Sequence, residues 1–235
     1  LQFVRYAPLV AELSASVIVE CNPILHELIL AVPGVDQVVA LNRGQGYDFH
    51  FPLMSLPLKF STSQRSINFP YLKTPAAISL NLKQGLRVGL NWAGNPNHAR
   101  DRDRSRRLIE FTPLTAVPNI NFYSLQTGPA SAQLADTTIP ITDLANRFEN
   151  MSDTAAAMHA LDLVISIDSA PAHLAGALGI PVWILLTKVP DWRWGLENET
   201  TPLYPSMRIF RAQNGWDDMF LRVAQALVDF SSHSQ

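Results

Sequence analysis

The chain has 235 residues, 47% of them hydrophobic and 16% charged, with 18 basic and 20 acidic side chains and a formal net charge of −2. That length fits one large domain or two ordinary ones, and the near-balanced charge argues against a general nucleic-acid-binding surface. Cys21 is the single cysteine, which excludes an internal disulfide and a cysteine-based zinc site, and no apolar run approaches the roughly 20 residues needed to span a bilayer.

The chain opens without a methionine, directly in helix-like sequence, and is expected to be a piece of a longer protein. Residues 1–13 read as a helix, with Phe3, Val4, Ala7, Val10 and Leu13 near one face despite Pro8. A short strand is expected over 16–20. Asn22 and Pro23 then supply a cap and a first-turn proline for a helix over 24–32, which Pro33-Gly34 ends. The next strand is expected over 37–41, and a further one over 47–51. The stretch around Phe69-Pro70-Tyr71-Leu72 is rich in loop formers.

From Leu86 the alternation of strand and helix restarts more strongly, favouring an α/β protein with parallel sheets. A strand over 87–92 runs into the turn Ala93-Gly94-Asn95-Pro96. A helix is expected over 111–116, a strand over 121–125 and a helix over 153–161 with Asp153 as its cap. Leu163-Val164-Ile165-Ser166-Ile167 is an apolar strand of the kind buried on both faces. A helix over 169–178, a strand over 181–186 and an amphipathic helix over 216–230 complete the chain. These segments predict two domains, 1–78 and 79–235.

The strongest site signal lies at the end of the apolar strand, in Asp168-Ser169-Ala170-Pro171-Ala172-His173. Open α/β sheets bind ligands at the carboxyl ends of their strands. A helix starting there offers unpaired N–H groups and the positive end of its dipole to a phosphate. Ser169 can donate a hydroxyl, Ala170 and Ala172 leave room, and His173 can reach the same anion. The alternative is that Asp168 or Ser169 simply caps the helix, that Pro171 is an ordinary early-helix residue, and that His173 is a satisfied half-buried side chain. His26, His50, His159 and His233 have no spacing that suggests a metal site.

Asp-Ser, three residues, then His-Leu-Ala, followed by a strand beginning Pro-Val, resembles the donor-site signature of bacterial heptosyltransferase-like glycosyltransferases of the GT-B fold. The likeness is greatest to relatives carried on tetratricopeptide-repeat proteins. Further stretches agree in the same order: Gly89-Leu90-Asn91-Trp92-Ala93-Gly94-Asn95-Pro96 with His98 and Arg104-Ser105; Ser124-Leu125-Gln126; 162–166; and Asp191-Trp192-Arg193-Trp194. Residues 1–13 and 52–57 are similar to the family's N-terminal domain. The resemblance implies two Rossmann-like domains with parallel sheets facing a cleft, the N-terminal one incomplete here. It departs from the family at Ala170, where the better-known heptosyltransferases have glycine. The aspartate that serves them as general base falls upstream of Leu1, so no catalytic residue is nominated.

The function so implied is transfer of a sugar from a nucleoside diphosphate sugar to an acceptor hydroxyl on a protein or glycan, with inversion. No cofactor or metal is expected: Asp101-x-Asp103 lies inside an arginine run and is a poor metal bridge. The setting expected is the cytoplasm, at the inner membrane surface, with a tetratricopeptide-repeat region elsewhere in the full protein. The donor-binding candidates are Asn91, Trp92, Asn95, His98, Arg104, Ser105, Gln126, Asp168, Ser169, Ala170, Pro171, His173 and Trp192. Each has a plainer reading. His98 and Gln126 can be loop residues, Arg104 part of a self-neutralising run with Asp101 and Asp103, and Trp192 and Trp194 packing at a domain edge. Two rival functions stand beside the transferase: a nucleotide-sugar or glycan-binding module without catalysis, and a sugar-nucleotide epimerase, whose catalytic carboxylates and histidines are not matched.

Overall fold

The computed structural model describes residues 1–41, 46–60, 69–74 and 80–233. The expected domain boundary at 78/79 lies outside them. In the N-terminal part the helix expected over 1–13 divides into a 3-10 turn, Gln2–Tyr6, and helix α1, Ala7–Ala11. Pro8 is the reason: it has no N–H to donate and is tolerated in a helix only in the first turn. Strand β1 (Ile18–Cys21), helix α2 (His26–Leu30) and strand β2 (Gln37–Ala40) form one parallel crossover unit with Ile18 opposite Gln37. Asn22 accepts from Ile24 N at 3.1 Å ahead of α2. Gly34, at φ +84°, makes the turn that releases the chain into β2.

The strand expected over 47–51 does not form. Tyr47, Phe49 and Phe51 are exposed, and no described strand lies beside them to complete a ladder. Alternating aromatics favour a pleated surface only where a partner exists. Helix α3 (Leu56–Phe60) follows instead, stacking Phe60 on Tyr6.

The C-terminal part is one six-stranded parallel sheet. Its strands are β3 (Leu86–Asn91), β4 (Ile120–Ser124), β5 (Ile141–Asp143), β6 (Leu163–Ile167), β7 (Val182–Leu186) and β8 (Met207–Arg211), ordered β5-β4-β3-β6-β7-β8. β5 and β8 were not anticipated; β5 has three residues, too few to show a period. Between β3 and β4 lie helix α4 (Asp101–Arg104), in the arginine run read as a loop, and a 3-10 helix, Leu108–Ala116. Pro113 sits inside that segment and excludes a regular α-helix. Helix α5 (Met151–His159) is capped by Asn150, which accepts from Ser152 N at 2.7 Å. Asp153, expected as the cap, is the reciprocal member of a capping box and accepts from Asn150 N at 3.2 Å.

Every residue of β6 and β7 is buried because both faces of the sheet are covered. One face packs Val164, Val182 and Ile184 against α5 and helix α6 (Ala170–Leu178), and Val4, Ala7, Leu28 and Val32 of the N-terminal part join the same core. The other packs Ile165, Trp183 and Leu185 against Phe111 and the final helix α7 (Trp216–His233), where Phe111 and Phe220 meet edge to face at 4.8 Å. The period-2 pattern thus sorts one apolar strand onto two cores. Among the described residues no helix is long and apolar enough to cross a membrane.

Helix α6 touches the ring of Tyr204 at Gly176, where an added Cβ would lie 2.5 Å from the ring. Gly176→Ala is therefore expected to cost about 1–3 kcal/mol through overpacking, measured as a lower denaturation midpoint at unchanged slope.

Candidate functional site

The strand order places β3 and β6 side by side while their following segments leave in opposite directions, β4 to one side and β7 to the other. Such a switch point opens a crevice at the carboxyl ends of the two strands. β3 ends at Asn91 and β6 runs into Asp168-Ser169. Ser169 Oγ donates to Asn91 Oδ1 at 2.7 Å, and Asn91 Nδ2 donates to Gln126 Oε1 at 3.0 Å. The same Gln126 oxygen accepts from Trp92 N at 3.0 Å and Ala93 N at 2.8 Å, while its Nε2 donates to Ala93 O at 3.0 Å and Thr127 O at 2.8 Å. The ends of β3, β4 and β6 are thereby tied together below the crevice.

Ser169 is the N-cap residue of α6 but caps nothing with its side chain, which is turned down to Asn91. The helix start is therefore uncapped, and Ala170 is exposed above it. The loop after β3 folds over this end. Ser105 Oγ accepts from Gly94 N at 2.9 Å and donates to Asp101 Oδ1 at 2.9 Å, closing the loop. Arg104 Nε pairs with the same Asp101 oxygen at 3.3 Å, and its Nη1 donates to Asp168 O at 2.7 Å. Arg100 reaches across to Val189 O at 2.8 Å. On the far side Asp191 Oδ1 pairs with Arg193 Nη1 at 2.7 Å, and Arg193 Nε donates to Gln2 Oε1 at 2.9 Å in the N-terminal part.

These groups surround a cleft of about 710 Å³, with Gln2, Phe3, Ile24 and Met54 on its N-terminal side. Burial raises the Asp168 carboxyl above the usual carboxylate range, against the opposing pull of the Trp194 indole and Arg104. Partial burial acts in the same direction on Asp191, but hydrogen bonds from Arg193 outweigh it and hold that carboxyl low. His173 is strongly displaced: burial, followed by the charges of the Leu1 amino group, Arg193 and Arg5, lowers it to about 3. Its ring is therefore neutral at physiological pH.

Of the residues nominated from sequence, His98, Arg104, Asp168, Ser169, Ala170 and His173 line this cleft together. Asn91 and Gln126 are buried beneath it as the tie between strands, and Ser105 serves the loop. Trp92 has its backbone at the site, but its side chain is wholly buried in the core against α7. Pro171 lies on the first turn of α6 outside the cleft wall, Asn95 holds an exposed turn by accepting from Asn97 N at 3.0 Å, and Trp192 is 64% exposed beneath the Arg193 guanidinium. Asp191, Thr187 and Arg193 of the wall were not nominated. The available signals were their position just beyond the carboxyl end of β7 and, for Asp191 and Arg193, the family-like stretch 191–194. Gln2 and Met54 lie in the stretches similar to the family's N-terminal domain, which singled out neither residue.

No family model matches the chain. It is 33% identical over 162 residues to Protein FlbA of Caulobacter vibrioides, a match covering 64% of this chain and 26% of that protein. The chain thus spans about a quarter of the length of that curated relative. Among solved structures, the ADP-heptose lipopolysaccharide heptosyltransferase II of E. coli superposes with a TM-score of 0.65 at 14% identity, over 99% of this chain and 94% of that one. The family 9 glycosyl transferase of Veillonella parvula superposes with a TM-score of 0.50 at 12% identity, over 85% and 65%. The fold is therefore the α/β, GT-B arrangement of these glycosyltransferases.

Two outcomes are expected of the site residues. Gln126→Ala leaves three donors without their acceptor and should lower stability by about 2–4 kcal/mol, read by chemical denaturation. His173 binds its proton near pH 3 when folded and near pH 6.5 when unfolded. Stability should accordingly fall as pH drops from about 6.5 toward 3, and His173→Gln should flatten that fall in melting curves taken across the range.

Proposed function

We propose that the cleft binds a nucleoside diphosphate sugar and that the protein transfers the sugar to an acceptor hydroxyl. The observation that carries this reading is the uncapped start of α6 at the β3/β6 switch point, with Arg104 and Arg193 in the surrounding wall. A diphosphate at that point meets the Ala170 N–H and the positive dipole end of the helix; Pro171 has no N–H, and those of Ala172 and His173 are turned to Ser169 O at 3.1 and 3.4 Å. Ala170 sets only a methyl group beside it, and guanidinium groups can grip phosphate oxygens in a fork. The glycosyltransferase-like fold supports the same chemistry, with the acceptor approaching from the side of Gln2, Ile24 and Met54.

In the transfer step the bond from the anomeric carbon to the diphosphate oxygen breaks as the acceptor oxygen bonds from the opposite face, giving inversion. The acceptor loses a proton to a base, and the departing diphosphate takes the negative charge. Helix and arginines stabilise that charge where it develops, a route that needs no metal bridge. We further read the setting as cytoplasmic and the acceptor as a protein or a glycan.

ADP, GDP, UDP and TDP should be compared by thermal unfolding of the whole chain. At about 100 times its dissociation constant a bound nucleotide adds roughly 2.7 kcal/mol, which for a protein of this size is a rise of roughly 5–10 °C. Ala170→Glu, at an exposed position, should fold normally and abolish the rise by setting a carboxylate in the phosphate position. Absence of a rise with all four nucleotides would count against the donor reading.

A further inference from the structure

Gln2 stands on the N-terminal side of the cleft with its side chain almost wholly enclosed, the residue being 7% exposed. Its Oε1 accepts from Arg193 Nε at 2.9 Å, across 191 positions of sequence. Arg193 is held on three sides. Its Nη1 donates to Asp191 Oδ1 at 2.7 Å, its Nε is taken by Gln2, and its guanidinium carbon lies 4.9 Å from the centre of the Trp192 ring. Both Gln2 and Arg193 line the cleft, but the donor reading gives a task only to Arg193.

That one hydrogen bond fixes which way the Gln2 amide faces. A guanidinium can only donate, whereas an amide carries an acceptor oxygen and a donor nitrogen. Arg193 therefore takes the oxygen, and turning the amide over would set two donors against each other. The Nε2 group is left with N–H donors that no group among the described residues accepts. It is not one of the enclosed polar atoms without a partner, so it opens on the cleft that Gln2 borders. Donors that meet no protein acceptor are met by water or by a ligand. Arg193 is in the same state: with Nε and Nη1 engaged, Nη2 has no hydrogen-bond partner among the described residues. The two free donor groups flank a single 2.9 Å contact and so stand side by side.

We propose that Gln2 is a specificity-determining residue of the cleft: oriented by Arg193, it donates from Nε2 to the phosphate that carries the sugar, and so distinguishes a nucleoside diphosphate from a monophosphate. This rests on the donor reading above. The strand order sets the positions. β6 lies between β3 and β7, so the start of α6 is flanked by Arg104 of the loop after β3 and by Arg193 of the segment after β7. A diphosphate at the helix start turns one phosphate toward each. Gln2 also borders the side of Ile24 and Met54, from which the acceptor approaches, so the phosphate beside it is the one bonded to the sugar. A monophosphate ends short of that position. The enclosed amide has already lost most of its freedom before binding, which reduces the ordering cost of the contact.

The test is a titration of the whole chain with ADP, GDP, UDP and TDP and with their monophosphates, followed by calorimetry and by NMR of nitrogen-15-labelled glutamine side chains. The Gln2 amide signal is recognised by its disappearance in Gln2→Glu. In wild type it should move downfield on saturation with the diphosphate that binds and stay in place with the monophosphate. Gln2→Glu keeps an oxygen for Arg193 Nε but puts a second carboxylate oxygen where Nε2 stood. It should melt no lower than wild type and bind the diphosphate at least about tenfold more weakly, the scale of a lost hydrogen bond to a charged group, with monophosphate affinity unchanged. Gln2→Met, of similar length and without the amide, should show the same selective loss and serves if Gln2→Glu does not fold. A Gln2 signal unmoved by a diphosphate that binds, or an equal loss of affinity for both nucleotides, would overturn the proposal and leave the donor reading standing. Absence of binding by all four diphosphates to wild type would instead overturn the donor reading, and the role of Gln2 with it.

Discussion

The pairing of β3 with β6 is the constraint on which the rest of the structure depends. These two parallel strands are pinned at both ends. At the amino end Arg87 grips Asp162 through Nη2–Oδ1 at 2.7 Å and Nε–Oδ2 at 3.0 Å, with Arg87 N adding a third bond at 2.8 Å. At the carboxyl end Ser169 and Asn91 close the gap. Because the chain leaves the pair in opposite directions, no crossover helix covers its carboxyl edge. The crevice is thus a consequence of topology, and the hydrogen bonds determine how firmly its floor is held.

Polarity at that floor has a structural cost which the network offsets. Asn91, Gln126, Ser166 and Ser169 are all buried, and each would be destabilising without partners. Their bonds to one another and to the backbone of 92–93 satisfy them and leave the start of α6 uncapped. A serine hydroxyl turned up toward the first turn of α6 would stand where an anion would sit. Diverting Ser169 to Asn91 therefore serves both the sheet and the opening above it.

Charge in the wall is arranged differently. Arg104, Arg193 and Arg100 each have a nearby aspartate and a backbone or amide acceptor, so each guanidinium is held in place before any ligand arrives. Arg5 is the exception: buried, it relies on carbonyls, a hydroxyl and two aromatic faces.

Local pattern was enough to read the α/β class and, to within a residue, the strands expected over 87–92, 121–125, 163–167 and 181–186 and the helix expected from 169, because each depends on periodicity and caps within a few residues. It also brought Asp168, Ser169, Ala170 and His173 into consideration, and the family resemblance added Arg104 and His98. It misjudged elements that depend on partners: residues 47–51 have strand chemistry and no ladder, while β5 and β8 are strands only because β4 and β7 lie beside them. Likewise, side-chain direction at a strand end is decided by which face meets a core, so Trp92 turned into the interior and Gln126 became the tie between strands. Asp191, Arg193 and Gln2 reach the wall, and Arg5 meets Tyr71 and Leu203, across separations of up to about two hundred residues. Sequence order determined what each segment can become; only the packing of distant segments, which no local period encodes, decided which side chains meet.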